Sequence, residues 1–338
     1  MEILAILLGT FAFSVVLVGF VRRHALERNI VDLPNVRSSH TVPTPRAGGI
    51  AIVVSFMAAL CALSSCGLVD TKTAFTLIAS GCAIAGIGYL DDRRQLTARS
   101  RLSVHLVAAV FVIALVGGFP ERELARWGLS EFWVGSVFAV LVLAWGTNLF
   151  NFMDGIDGIA GSESIFVSAA AAWLNWRSCG DSGMTAAMLS LSAASLGCLV
   201  WNWPPARIFM GDVGSGFLGF MVTALVIIAT QRGGIRIEVL PILGGVFLVD
   251  ATITLLRRLL RGDRWSEPHR MHAYQHLARR WGSHERVTLI VIVINLGWLL
   301  PWAYVVNRFP DNARICFAGA LSPLVVFALL AGAGRREP

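Results

Sequence analysis

The chain has 338 residues, of which 56% are apolar and 14% charged, and its mean hydropathy is +0.68. An ordinary soluble domain is about a quarter charged, so this chain has too few charges to cover a water-facing surface. The same figures exclude a disordered, collagen-like, coiled-coil or small disulfide-scaffold protein. What remains is an all-α, polytopic membrane protein. At about 20 residues per span, ten or eleven helices use about two thirds of the chain and leave no room for a separate soluble domain. Residues 1–338 therefore read as a single transmembrane domain.

Apolar runs of spanning length fall at 3–21, 47–65, 74–90, 102–119, 132–150, 159–176, 184–203, 215–230, 237–256, 287–306 and 315–333. With the N-terminus outside, the loops 22–46, 91–101, 204–214 and 257–286 and the C-terminal tail face inward and carry 20 of the 28 Lys and Arg residues. Basic loops stay cytoplasmic, so about eleven spans with an N-out, C-in topology are expected. That distribution accounts for the net charge of +7 and excludes a soluble nucleic-acid binder. In the first run the basic Arg22 and Arg23 follow the apolar stretch, the reverse of a signal peptide, so it is expected to be a retained helix. The six cysteines show no CxxC and no histidine pairing and read as small apolar filler; Cys61 and Cys66 lie at a poor spacing for a disulfide. Most of the eleven tryptophans sit near span ends, as an aromatic belt requires. His24 and His105 read as interface or packing residues.

The acidic residues are concentrated. Asp32, Asp91, Asp92, Asp154, Asp157, Asp212 and Glu267 all fall in inward segments, and ionisable groups at membrane depth are costly unless they have a function. In chain order, the first inner loop, from Asp32 to Gly49, contains three prolines and Arg37, His40 and Arg46, side chains suited to phosphates or lipid headgroups. Next comes Gly88-Tyr-Leu-Asp91-Asp92-Arg-Arg. Its adjacent carboxylates repel unless a cation or basic partner intervenes. In Asn148-Leu-Phe-Asn151-Phe-Met-Asp154-Gly-Ile-Asp157-Gly-Ile-Ala-Gly161, steps of three keep Asn148, Asn151 and Asp154 on one broad helical face. Gly155, Gly158 and Gly161 then let the backbone break or come close to a ligand, and amide and carboxylate oxygens suit a hard cation such as Mg²⁺.

Phe209-Met-Gly211-Asp212-Val-Gly-Ser215-Gly opens a span, so its backbone N–H groups are expected to form an anion site at a helix start, with Asp212 beside a metal. The last cluster, Glu267-Pro-His269-Arg270-Met-His272-Ala-Tyr-Gln-His276, belongs to an inner loop holding four of the seven histidines. Arg and His beside a metal–carboxylate site suit a pyrophosphate, and no cysteine is near for a zinc site.

Taken together, LDD, NLFNFMDGIDGIAG and FMGDVGSG in this order resemble the polyprenyl-phosphate sugar-1-phosphate transferases over nearly the whole chain. The resemblance implies transfer of an N-acetylaminosugar 1-phosphate from a UDP-sugar to undecaprenyl phosphate at the bacterial inner membrane. It assigns catalytic roles to Asp91, Asp92, Asp154 and Asp157: the first pair near the lipid phosphate, the second in the nucleotide-sugar pocket. It places Mg²⁺, with Mn²⁺ as an alternative, on Asn151 and Asp212. Arg270 and His272 match a basic loop that grips the pyrophosphate, and Asn148, His276, Arg46, Gly211 and Ser215 join them as expected substrate-binding residues. The segment HRMHAYQHLARR departs from the consecutive-histidine form and looks more like the O-antigen-initiating branch, whose donors include UDP-N-acetyl-fucosamine and UDP-N-acetyl-quinovosamine. A homodimer is a further possibility. Two rival readings stay open on the residues alone: a Mg²⁺-dependent intramembrane prenyltransferase, which leaves GDVGS and the His/Arg loop unexplained, and a transporter, which calls for mid-membrane charges and repeat symmetry.

Overall fold

Eleven helical segments follow the eleven apolar runs in the computed structural model, which describes residues 1–32, 42–120, 123, 125, 128, 131–263 and 269–336. Arg37, His40 and Glu267 lie outside the described residues. In chain order come α1 (Glu2–Glu27), a two-residue antiparallel ladder of β1 (Val31–Asp32) with β2 (Thr44–Pro45), α2 (Gly49–Ser65), α3 (Thr71–Arg94), α4 (Ala98–Val116) and α5 (Phe132–Met153). After these follow α6 (Ile159–Cys179), α7 (Ser182–Asn202), α8 (Asp212–Gln231), the short α9 (Val239–Leu243), α10 (Gly245–Leu260) and α11 (Ala273–Trp281). The last two are α12 (His284–Arg308), α-helical apart from a π-helical stretch at Asn295–Leu299, and α13 (Ala313–Leu330).

The chain is a multi-pass, all-helical membrane protein: eight of its described helices are long and apolar enough to cross a membrane. The three other expected spans are helical too, and each departs for a visible reason. α2 has only 17 residues. α6 is diluted by Glu163, Asn175 and several serines. The run 237–256 breaks at Gly244, Asp250 lies on its second half, and Arg257 and Arg258 follow directly after it on the same helix.

Helix starts are set by local chemistry. Asp70, Thr97, Asp181 and Ser283 cap α3, α4, α7 and α12 by accepting the N–H groups of Thr73, Ser100, Met184 and Arg286, which satisfies donors a helix leaves unpaired. α8 is apolar all round, and every residue from Val213 to Thr230 is buried, so it forms the axis of the bundle. α3 and α5 pack directly on it. Small residues allow the approach: a Cβ on Gly219 would sit 2.2 Å from the Gly146 carbonyl oxygen, and one on Gly88 would sit 2.5 Å from that of Asp212. Where α12 becomes π-helical, Asn295 turns in and donates to Glu163 Oε2 at 2.6 Å, both side chains being fully buried. All six cysteines are free. The ends of α3, α5, α7 and α10 and the starts of α4, α6, α8, α11 and α12 gather at one end of the bundle, called here the near face.

Candidate active site

Pro45 and a glycine pair build the floor of the near face. Phe209 donates its N–H to the Pro45 carbonyl at 2.8 Å, and Gly48 and Gly49 donate theirs to the Phe209 and Met210 carbonyls at 2.9 Å each. This stitches β2 and the start of α2 to the turn before α8. A Cβ on Gly49 would fall 2.3 Å from the Gly214 Cα, so two helix starts lie against each other there. Gly211 supplies the turn with φ +74°, a conformation that costs glycine little.

The carboxylates of the two adjacent aspartates then take separate partners. Asp91 accepts the Leu96 N–H at 2.6 Å and pairs with the Arg101 guanidinium, which also lies 3.4 Å from Asp212 Oδ2. Asp92 points to the start of α8, where it accepts the N–H groups of Asp212 at 3.0 Å and Val213 at 3.1 Å. This corrects the expectation that the amides of Gly211–Ser215 form an open anion site. The Gly214 and Ser215 amides close onto the Gly211 carbonyl, and the two before them hold Asp92, a partner 120 residues away that no local pattern reveals.

Asn151 donates to Ser215 Oγ at 3.2 Å, and Asn151 and Asp91 lie close to the Asp212 carboxylate. Asp154 follows the last residue of α5. Its burial, and then the negative charges of Asp212, Asp92 and Asp157, push its carboxyl well above the usual carboxylate range, while Arg46 opposes them. Arg46 itself pairs with Asp32 at 2.9 Å. The structure therefore brings Asp91, Asp92, Asn151, Asp154, Asp212, Ser215, Gly211 and Arg46 into one site. A hollow of about 310 Å³ between α1, α2 and α3 carries the apolar side chains of Phe20, Val21 and Ile50 up to Asp92 and Arg46.

Asp157 faces a neighbouring cleft of about 530 Å³, walled also by Phe209, Arg270, Arg279 and His284. Its carboxylate accepts the Ala206 N–H at 3.0 Å and lies 3.3 Å from His284 Nδ1, and its backbone carbonyl accepts from the Thr288 hydroxyl at 3.2 Å. Of the other expected binding residues, Asn148 lies one turn behind Asn151 and donates to the Ala144 carbonyl of its own helix. His272 is 3% exposed, occupies the residue just before α11 and lies 3.4 Å from Asp250 Oδ1. His276 lies beside Arg279 and Gly332. Neither histidine is on the wall of the cleft. Half-buried His269 stacks on His272, and its burial, helped by His272 and Arg258, lowers its pKa to about 3.

Sequence reasoning assigned no role to Arg101, Asp250, Tyr274 or His284. Asp250 accepts the N–H groups of Ala273 at 2.9 Å and Tyr274 at 3.1 Å, and so fixes the start of α11. The Tyr274 hydroxyl donates to the Phe152 carbonyl at 3.1 Å, which ties α11 to the turn bearing Asp154. The signal for Asp250 was present, as a lone carboxylate in an apolar run. Arg101 had no such signal: ten residues past Asp91, it reads as ordinary cytoplasmic basicity.

The donor set is all oxygen, which suits a hard cation and not zinc. Among the described residues no three His, Cys, Asp or Glu side chains form a complete metal cage. Mg²⁺ needs none, since it keeps waters and shares substrate phosphates.

A helical, multi-pass membrane enzyme whose acidic groups gather at one end of the bundle matches a known class. The chain belongs to glycosyl transferase family 4, the family of the polyprenyl-phosphate N-acetylglucosamine-1-phosphate transferases, and is a phosphotransferase; the family model matches residues 74–230. It is 31% identical over 288 residues to the probable undecaprenyl-phosphate N-acetylglucosaminyl 1-phosphate transferase of Bacillus subtilis, covering 82% of this chain and 78% of that protein. It is 30% identical over 305 residues to the undecaprenyl-phosphate alpha-N-acetylglucosaminyl 1-phosphate transferase of Escherichia coli K12, covering 85% and 79%. To the decaprenyl-phosphate N-acetylglucosaminephosphotransferase of Mycobacterium tuberculosis it is 28% identical over 303 residues, covering 81% and 75%.

Proposed function

We propose that this protein transfers an N-acetylaminosugar 1-phosphate from a UDP-sugar to undecaprenyl phosphate, as the first membrane step of O-antigen or related envelope polysaccharide assembly. An oxygen of the lipid phosphate bonds to the β-phosphorus of the donor, the bond from that phosphorus to the bridging oxygen breaks, and UMP leaves with the electron pair. The products are sugar-diphosphoryl-undecaprenol and UMP. On this reading eleven segments traverse the bacterial inner membrane, N-terminus out, and the near face is cytoplasmic, where a water-soluble nucleotide sugar meets a bilayer lipid.

The observation that carries the reading is the meeting of Asp91, Asp92, Asn151, Asp154 and Asp212 beside a cleft walled by Arg270 and Arg279. Both substrates are anionic, so the first requirement is charge compensation. Arg270 and Arg279 border the place of the donor diphosphate, with Asp157 and the Phe209 ring on the nucleotide-sugar side. Arg46 lies where the acceptor phosphate arrives, at the mouth of the apolar hollow reaching Asp92. Asn151 and Asp212 would hold Mg²⁺, with Asp91 and Asp154 beside them; when bound, the ion neutralises developing charge on the phosphoryl oxygens. Asp91 serves chiefly to hold Arg101 and the metal region, because a phosphomonoester with a second pKa near 6 is already largely dianionic at neutral pH.

The test is UMP release by purified protein supplied with undecaprenyl phosphate, Mg²⁺ and a panel of UDP-N-acetylaminosugars. Metal-dependent release that is lost in Asp212→Asn is expected, and the preferred donor identifies the sugar. No release from folded protein with any donor would overturn the reading.

A further inference from the structure

The end of the bundle opposite the active site carries a polar cavity of about 850 Å³. It is assembled from the far ends of elements whose near ends build the active site: Arg177 and Ser178 from α6, residues 233–236 after α8, and Tyr304, Asn307 and Arg308 from α12. Its inner wall is fixed by a chain of contacts. Arg236 pairs at 2.9 Å with Glu123, which is 2% exposed. The Arg236 N–H donates to Asn307 Oδ1 at 2.9 Å, and Asn307 Nδ2 donates to Ser178 Oγ at 2.7 Å. The Arg177 and Arg308 guanidiniums complete the lining. Neither has a carboxylate partner among the described residues, and Arg308 lies over the Phe309 ring at 5.9 Å. Among the described residues, the cavity thus presents three guanidiniums against one carboxylate that is already paired.

Basic residues are disfavoured on the non-cytoplasmic side, and only eight of the 28 Lys and Arg residues fall on this side of the chain. Three of the eight line one cavity. Its depth is marked by aromatics: Trp173 stacks against Tyr304 at a centroid distance of 5.4 Å, and Trp173 and Trp176 stay 44% and 54% exposed on the outside of the bundle. Tryptophan and tyrosine collect at the level of lipid headgroups. Guanidinium groups at that level match the oxygens of a phosphate ester, with a planar fork that binds two at once.

We propose that this cavity binds the phosphodiester headgroup of an anionic phospholipid in the leaflet opposite the active site, held by Arg177, Arg236 and Arg308. The site is independent of the transfer reaction and is saturated by membrane lipid during function.

The test is native mass spectrometry of the full chain in detergent, titrated with dioleoylphosphatidylglycerol, dioleoylphosphatidylcholine or inorganic phosphate. The double variant R177Q/R308Q leaves the Arg236–Glu123 pair intact, and R177Q alone alters one exposed side chain. The wild type is expected to hold one phosphatidylglycerol whose affinity falls about thirtyfold in the double variant and partway in R177Q. Phosphatidylcholine binding should not change. UMP release in zwitterionic micelles at the wild-type rate shows that both variants are folded. Equal phosphatidylglycerol affinity in all three proteins overturns the proposal. Displacement of that lipid from the wild type by inorganic phosphate at equal concentration overturns the lipid assignment and marks a site for soluble anions.

Discussion

Asp92 and Asp212 are joined through the backbone: the carboxylate at the end of α3 accepts the Asp212 N–H at 3.0 Å and the adjoining Val213 N–H at 3.1 Å. One side chain therefore caps the central helix of the bundle and sets the position of a proposed metal ligand. Asp92→Ala leaves two donors unsatisfied at the start of a buried helix, a loss of about 1–2 kcal/mol, and lets Asp212 shift. Thermal unfolding in detergent should show a lowered midpoint together with lost UMP release. Asp212→Asn keeps the cap, so it should lose release while unfolding near the wild-type temperature. Equal destabilisation by the two variants would contradict the capping role.

Arg101 stands between Asp91 and Asp212. Replacing it by glutamine leaves two carboxylates facing each other without their common cation and removes a positive charge from the reaction centre. UMP release should fall on the order of 10²–10³-fold. Arg101→Lys keeps the charge but not the fork and should fall between the two. An Arg101→Gln rate within threefold of wild type would exclude the role.

The helices were legible because an apolar run of about 20 residues matches the thickness of a bilayer's hydrocarbon core when helical: all eleven runs are helical, and eight of the described helices are long and apolar enough to cross a membrane. What composition does not show is continuity: the run 237–256 has the right average, yet Gly244 splits it and Asp250 on the second half turns inward to cap α11. The acidic clusters were legible as a group, because several carboxylates gathered at membrane depth on one side are rarely idle. Their pairing was not. The glycine-rich start of α8 reads locally as an anion cradle, and only the tertiary fold shows that the anion it holds is Asp92. Asp154 and Asp157, three residues apart, face different surroundings because Gly155 and Gly158 break the helix between α5 and α6. His272 reads as a ligand in a basic loop, but it is buried against Asp250 at the start of α11, and Asp250 caps that helix.

Tyr274 joins α11, which carries Arg279 to the cleft, to the turn that carries Asp154. Tyr274→Phe removes one buried hydrogen bond, at a cost of about 1 kcal/mol, and leaves the ring packing in place. Since the loss loosens the cleft wall and spares the acidic cluster, KM for the nucleotide sugar should rise more than kcat falls. Steady-state UMP release against donor concentration separates the two, and a change confined to kcat would count against this linkage.

The raised Asp154 pKa gives metal binding a definite pH dependence. Burial and the charges of Asp212, Asp92 and Asp157 favour the protonated form. The metal-free protein therefore has this group's full stability below the ordinary carboxylate range and loses it as pH climbs towards the raised folded value. A hard cation held near Asp154, Asp212 and Asn151 favours the carboxylate instead, so its binding releases a proton and tightens as pH rises. Mg²⁺ should raise the unfolding midpoint of the wild type more at pH 8 than at pH 6. At 100 times its dissociation constant the stabilisation is about 2.7 kcal/mol. Asp154→Asn should stabilise the metal-free protein and flatten the pH dependence, and Asp212→Asn should abolish the Mg²⁺ shift. A shift that is equal at both pH values and persists in Asp212→Asn would place the cation away from this cluster.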